Sequence, residues 1–253
     1  MVSARAKSYH RLVDHEDETA QFDWKGRTGP FTLAVPPRVF APTHTSMMVA
    51  QALEIEPGDT VLDVGCGTGV LSFVAARLGA ARVVGCDASP EAVAASRQNA
   101  VRLGLADRTE FREGNLFEPV RDVAADVVIG DVSGIPDELA AVSGWFPGGR
   151  AGGPTGSELP VAMLEEIGDC LVPGGRIYLP TGTIQAEGRV LEAARRLFGA
   201  ANLERILERE LPLPDLVARS KAAARLMAQG LLNLRRRGSR LLWHLSVWRI
   251  QRA

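Results

Sequence analysis

One stretch of the chain concentrates residue types that do little for packing and much for ligands. Residues 61–69 read Val-Leu-Asp-Val-Gly-Cys-Gly-Thr-Gly. Three glycines at alternate positions, Gly65, Gly67 and Gly69, follow an acid, Asp63, set inside an apolar run. A loop that leaves a strand and opens a helix can bring bare backbone N–H groups against a ligand, and glycine is needed where a Cβ would block the approach. Nicotinamide and flavin sites use such loops too, but favour the spacing G-x-G-x-x-G. Here the spacing is G-x-G-x-G. An acid just before it would repel a pyrophosphate and attract a cation.

Two more positions fit the same ligand. Asp87 closes a second apolar run, where a carboxylate can accept from both hydroxyls of a ribose. A third run ends in Gly114-Asn115-Leu116-Phe117. Asn115 can bond an adenine edge, and Leu116 and Phe117 offer apolar contact. Taken singly, Asp87 or Asn115 reads equally well as the cap of a helix or turn. Three consecutive strand ends, each with a fitting group, favour the ligand reading. S-adenosylmethionine suits the set, because it has no phosphate and carries a sulfonium and an ammonium. Its demethylated product, S-adenosylhomocysteine, would occupy the same site. Cys66 and Ala88 stand beside these groups and join the expected contacts.

These residues must be positioned by alternating strands and helices. Strands are expected at 60–65, 82–87, 108–113, 126–131, 176–179, 204–213 and 241–250. Helices are expected between them. Ser89-Pro90-Glu91 opens one with an N-cap serine and a proline at the first position. The first, at 60–65, is a continuous apolar run, as a strand buried on both faces should be. The expected fold is α/β: a Rossmann-like, seven-stranded, mostly parallel sheet with helices on both faces and an antiparallel last strand. Residues 1–40 read as an irregular, partly helical lead-in or lid, and 41–253 as the main domain. A long loop is expected at 133–157, with Trp145 and Phe146 in it, and a helical insertion at about 215–238.

Segment 60–180 resembles the class I S-adenosylmethionine-dependent methyltransferases, through Val61–Gly69, Val83–Ser89 and Gly114–Pro119. The resemblance implies that Asp63 and the glycines hold the methionine part, Asp87 the ribose and Asn115 the adenine. Most members of the class carry an acid where Asn115 stands.

In an open parallel sheet the acceptor arrives beyond the carboxyl ends of the strands. The fourth strand ends in Gly130-Asp131-Val132-Ser133-Gly134. Release-factor glutamine methyltransferases have Asn-Pro-Pro-Tyr at this place, and all four residues are absent here. Their likeness persists in Gly114–Pro119 and in Gly152-Gly153-Pro154-Thr155-Gly156. Protein arginine methyltransferases carry acid-x-x-Gly, which Asp131 and Gly134 resemble, and Gly69–Ala76 is similar to their first helix. Their second acid has no clear match, although Glu138 lies nearby. Asp131 is therefore the candidate catalytic carboxylate and a cofactor neighbour, its bland alternative being the cap of the next turn. A carboxylate beside a sulfonium can anchor or deprotonate an amine and stabilise the cation that forms. His44 is a second candidate base. Members of the class cover the cofactor with the matching threonine region, so the resemblance implies Thr45 as a cofactor contact; Thr43 and Thr45 suit helix capping at least as well.

The expected activity is methyl transfer to nitrogen or oxygen of a small molecule. A protein side-chain nitrogen is the alternative acceptor, and a cofactor-binding module without turnover a third. The net charge of −1 supplies no global field toward nucleic acid or anionic lipid. The arginines between Arg219 and Arg240 read as a solvated helix face more readily than as a nucleic-acid patch. Cys66, Cys86 and Cys170 lack metal spacing and read as reduced thiols, so no metal is expected. The polar first thirty residues do not resemble a secretory signal, and no apolar run reaches membrane length, so a cytoplasmic protein is expected. A homodimer is left open.

Overall fold

The computed structural model describes residues 19–144 and 151–253; Trp145 and Phe146 lie outside them. The chain runs β1 (Ala20–Trp24), β2 (Phe31–Val35), α1 (His44–Ala52), β3 (Thr60–Val64), α2 (Val70–Leu78), β4 (Arg82–Asp87), α3 (Pro90–Arg102), β5 (Thr109–Glu113) and β6 (Ala125–Ile129). It continues through α4 (Asp137–Ser143), α5 (Glu158–Glu166), β7 (Leu171–Gly182), α6 (Glu187–Phe198), β8 (Leu203–Pro212), α7 (Asp215–Ala218), α8 (Lys221–Ala228), β9 (Arg235–Arg237) and β10 (Arg240–Gln251).

The main sheet has the order β5-β4-β3-β6-β7-β10-β8, with the short β9 beside β10. Strands β3 to β7 pair in parallel, and β10 runs antiparallel to both β7 and β8. The chain winds from β3 through β4 to β5, then returns to the other side of β3 as β6. A crevice opens at such a reversal, outside the carboxyl ends of the strands. Asp63 lies on one of these two strands and Asp131 just beyond the other.

Side chains alternate across the sheet because successive Cβ atoms of a strand point to opposite faces. Val61 joins the core shared with Phe73 and Val74 of α2. Leu62 and Val64 join the opposite core with Met163 and Leu164 of α5. Asp63 therefore faces α2. A third core joins Leu139 of α4 to Val217, Ala223 and Leu226 of α7 and α8 and to Leu241 of β10. The insertion is thus fastened over the segment that follows β6.

Two stretches are more ordered than their composition suggests. Residues 20–35 are a β-hairpin and not an irregular or helical lead-in. Trp24 is fully buried and stacks on Phe31, which meets Phe73 edge-on. The glycines belong to the turn: a Cβ at Gly26 would sit 2.5 Å from the Trp24 ring. Residues 137–143, expected as loop, form α4.

Asn99, fully buried on α3, ties the hairpin to the glycine loop. Its Oδ1 accepts from the Ala34 N–H at 2.8 Å. Its Nδ2 donates to the carbonyls of Ala34 (3.0 Å) and Thr68 (3.1 Å). Asn99→Ala would leave three buried backbone groups without partners, a loss of about 3 kcal/mol or more. The melting temperature should fall by roughly 6–12 °C. A scanning-calorimetry midpoint within a degree of wild type would contradict this role.

Candidate active site

Four N–H groups of the glycine loop are taken up inside the protein. Those of Gly65 and Cys66 both donate to the Cys86 carbonyl (2.8 and 3.0 Å), and that of Gly69 to the Cys66 carbonyl (2.8 Å). The Gly67 N–H donates to Asp87 Oδ2 at 2.9 Å. The expectation that this loop offers its N–H groups to a ligand is therefore corrected. The glycines serve shape instead. At Gly69, with φ near +84°, a Cβ would lie 2.6 Å from the Phe73 ring. A loop with its amides turned inward is a poor cradle for a pyrophosphate.

The open valences of the site are carboxylates. Asp63 is 1% exposed and accepts from the Ser72 hydroxyl at 2.6 Å. Burial lifts its pKa from 3.8 to about 7; the Ser72 bond opposes the rise, and the charges of Asp131 and Asp87 add to it. Asp131 accepts from the Ser46 hydroxyl of α1 at 3.1 Å. Burial raises it to about 6, against the Ser46 bond. Asp87 is also raised by burial, opposed by N–H bonds from Ser89 and Gly67. Among the described residues no cationic side chain forms a salt bridge with any of the three. Buried charges are ordinarily paired. This group of acids lacks a cation, and a ligand bearing an ammonium and a sulfonium fits it.

The chain matches the methyltransferase-domain family over residues 55–211, more than half its length. It belongs to the class I S-adenosylmethionine-dependent methyltransferases. A ribosomal protein L11 methyltransferase of Pelotomaculum thermopropionicum is 32% identical over 205 residues, covering 79% of this chain and 58% of the relative. One of the same name from Aeromonas hydrophila subsp. hydrophila is 49% identical over 78 residues, 30% of this chain and 25% of its own. The chain therefore spans little more than half the length of the first relative. Among solved structures, the ribosomal protein L11 methylase of Lactobacillus delbrueckii subsp. bulgaricus superposes with a TM-score of 0.51 at 16% identity, over 83% of this chain and 78% of that one. The putative methyltransferase SMU.776, complexed with SAH, gives 0.59 at 14% identity, over 91% and 56%. At these identities the likeness is one of fold.

Within this methyltransferase the candidate residues gather as follows. Gly65 is exposed beside Val132, so the glycine loop and the post-β6 loop face each other. Asp87 has both oxygens engaged, by Gly67 and by the Ser89 N–H at 2.9 Å. It does hold a turn, yet each oxygen keeps a lone pair for a ligand hydroxyl. Ala88 beside it is exposed. Asn115 is exposed, while Leu116 and Phe117 turn into the core. Phe117 is fully buried and offers a ligand no surface. The Leu116 carbonyl accepts from the Cys86 thiol at 3.1 Å. The Cys66 side chain is buried in the core, and burial pushes its thiol well above the usual range.

Thr43 caps α1 by accepting from the Thr45 N–H at 3.1 Å, which leaves Thr45 in the first turn of that helix. His44 opens the helix and is exposed. Ser46, not His44, meets Asp131. The Ser46 and Ser72 hydroxyls, which bond the Asp131 and Asp63 carboxylates, were not singled out by the sequence reading. Ser72 had a local signal, since the first turn of α2 must pass back over β3.

Asp63 carries a stability consequence. Its folded pKa lies above its unfolded one, so between about 4 and about 7 the folded state holds more protons. Stability from this group is present at acid pH and lost as pH rises through 7, an effect on the order of 4 kcal/mol. Asp63→Asn should raise the melting temperature of the cofactor-free protein by several degrees at mildly alkaline pH and weaken cofactor binding at least tenfold. An unchanged or lower melting temperature there, measured by calorimetry, would sink this account.

Proposed function

We propose that this protein transfers a methyl group from S-adenosylmethionine to a side-chain nitrogen of a protein acceptor, of the ribosomal-protein kind. The observation that carries it is Asp131, a carboxylate beyond the carboxyl end of β6 with no cation paired to it among the described residues. The relatives named ribosomal protein L11 methyltransferase favour a protein acceptor over the small-molecule acceptor expected from composition and loops. They also favour turnover over a binding module. That acceptor would put the work in the cytoplasm. No helix among the described residues is long and apolar enough to cross a membrane.

When bound, S-adenosylmethionine supplies an electrophilic methyl on sulfur. Asp63 would hold its charged methionine end, Asp87 its ribose, and Asn115 with Leu116 the edge of its base. Gly65, Cys66, Gly67, Gly69, Thr45 and Ala88 would line it. The segment 36–43 passes over the glycine loop, with the Phe40 carbonyl 3.9 Å from where a Gly67 Cβ would be, and would act as a cover. Ser46 orients the Asp131 carboxylate. An ammonium acceptor must lose a proton before its lone pair can attack. Asp131 is placed to anchor that ammonium and take the proton, and positioning supplies much of the remaining rate.

Purified ribosomal protein L11 incubated with methyl-labelled cofactor should take up label. Asp131→Asn keeps shape and removes charge, so turnover should fall about a hundredfold or more with cofactor affinity much less changed. The wild-type rate should fall as pH drops through about 6, where Asp131 becomes protonated, and the variant should lack that limb. Label appearing only in small molecules of a cell extract, with none in L11 or other protein, would restore the small-molecule reading.

A further inference from the structure

The glycine-rich segment 152–156 lies against the loop that carries Asp131. A Cβ at Gly152 would sit 2.7 Å from the Ser133 carbonyl oxygen and 3.0 Å from the Ile135 nitrogen. One at Gly156 would sit 2.7 Å from the Gly134 carbonyl oxygen. The two backbones are also bonded. The Gly152 N–H donates to the Ile135 carbonyl at 2.8 Å, and the Asp137 N–H to the Gly153 carbonyl at 3.0 Å. A third wall comes from Gln185, in the turn after β7. A Cβ at Gly134 would overlap its carboxamide oxygen and sit 3.1 Å from its carboxamide carbon.

These walls are rigid. Gln185 is 5% exposed, which leaves its side chain little room to swing away. The Ala186 N–H donates to the Thr155 carbonyl at 2.9 Å, joining the turn after β7 to the glycine-rich segment. Glu158, the first residue of α5, accepts from the Thr155 N–H (3.1 Å), the Thr155 hydroxyl (2.8 Å) and the Ser157 N–H (3.2 Å). Neither Gly134 nor Gly152 has a positive φ, so the backbone at both positions suits alanine. Close approach alone demands glycine there. On its other side the loop meets the cofactor residues: Val132 lies against Gly65, and the Asp131 carboxylate accepts from the Ser46 hydroxyl.

We propose that Gly152 and Gln185 are positioning residues for methyl transfer: they seat the loop 131–135 so that the Asp131 carboxylate is held at Ser46 and at the acceptor. This assignment rests on the reading of Asp131 as the carboxylate that anchors the acceptor. Close-packed interiors transmit a displacement instead of absorbing it. A methyl group added under Ser133 or Gly134 therefore moves the loop, and the carboxylate with it. Alignment of that kind is where such a transfer is sensitive, since a shift of about 1 Å can cost on the order of a hundredfold in rate.

A repair experiment tests it. Gly134→Ala should lower kcat on ribosomal protein L11 about tenfold or more, with KM and the dissociation constant of S-adenosylhomocysteine within about threefold of wild type. Gly134→Ala/Gln185→Ala gives the new methyl room and should recover most of that loss. Gly152→Ala presses on backbone instead, so it should lower kcat as much, and adding Gln185→Ala should not repair it. Asp131 can also be followed without any acceptor. In cofactor-free protein with 13C-labelled aspartate carboxyls, its signal, assigned by its loss in Asp131→Asn, should titrate near 6. Burial is what raises it, so a displaced carboxylate should titrate lower in both glycine variants and return in Gly134→Ala/Gln185→Ala. Unchanged kcat and titration in the glycine variants overturn the proposal, and so does a loss in Gly134→Ala that Gln185→Ala leaves unrepaired. If neither glycine variant folds, Gln185→Ala alone should still lower the Asp131 titration by removing a wall, and an unmoved signal overturns the proposal. If L11 takes up no label while the signal shifts and returns as stated, the seat stands and the L11 assignment falls. If L11 is methylated and every variant leaves kcat and signal in place, the reverse holds.

Discussion

The structure is organised around one electrostatic problem, a carboxylate buried at the centre of a parallel sheet. Asp63 sits where alternation turns it from the sheet toward α2, and among the described residues no cation pairs with it. The Ser72 hydroxyl and the Ser72 backbone N–H relieve it directly. Burial of this kind is costly unless a partner charge arrives. The neighbouring acids deepen the imbalance, since Asp131 and Asp87 both raise the Asp63 pKa. Stability is thereby exchanged for a strong demand for a cationic ligand.

The surrounding elements hold this arrangement in place. The hairpin, reading as mere lead-in by composition, is locked to α3 and the glycine loop through Asn99. Helix α1 serves both ends of the site: Thr43 caps it, and Ser46 in its first turn reaches Asp131. Because the loop amides are bonded internally, the loop is rigid without a ligand. The site is therefore pre-formed, which reduces the ordering cost of binding.

The elements beyond β6 are built differently. They comprise the post-β6 loop, the turn after β7 and a helical insertion that packs on both α4 and β10. Several of the arginines in that insertion and after it pair with acids, as Arg225 does with Glu138 and Arg235 with Glu210. That pattern favours a solvated, internally balanced face over a polyanion-binding one. The core around α2 and the core of the insertion are thus separate packing units, and α4, which belongs to the second, follows the Asp131 loop directly.

Sequence alone determined the features whose physics is local. A continuous apolar run names a buried parallel strand, a serine before a proline opens α3, and the Asp63–Gly69 spacing announces a turn that admits a cation. The antiparallel last strand and the family followed from these, whereas the main sheet has eight strands and not seven, because the short β9 pairs with β10. Tertiary structure decided whatever depends on distant residues meeting. The glycine-loop amides looked available in sequence because their partners, Cys86 and Asp87, arrive only when β4 pairs with β3. Phe117 looked like a ligand contact until the core claimed it. Ser46 and Asp131 lie 85 residues apart, and nothing near either one announces the other. The glycines and prolines of residues 26–37 are ambiguous locally, since the same residues make tight turns and irregular coil. The stacking of Trp24 on Phe31, which meets Phe73 of α2, and the Asn99 bonds to Ala34 select the hairpin, because those contacts exist only once α2 and α3 are in place.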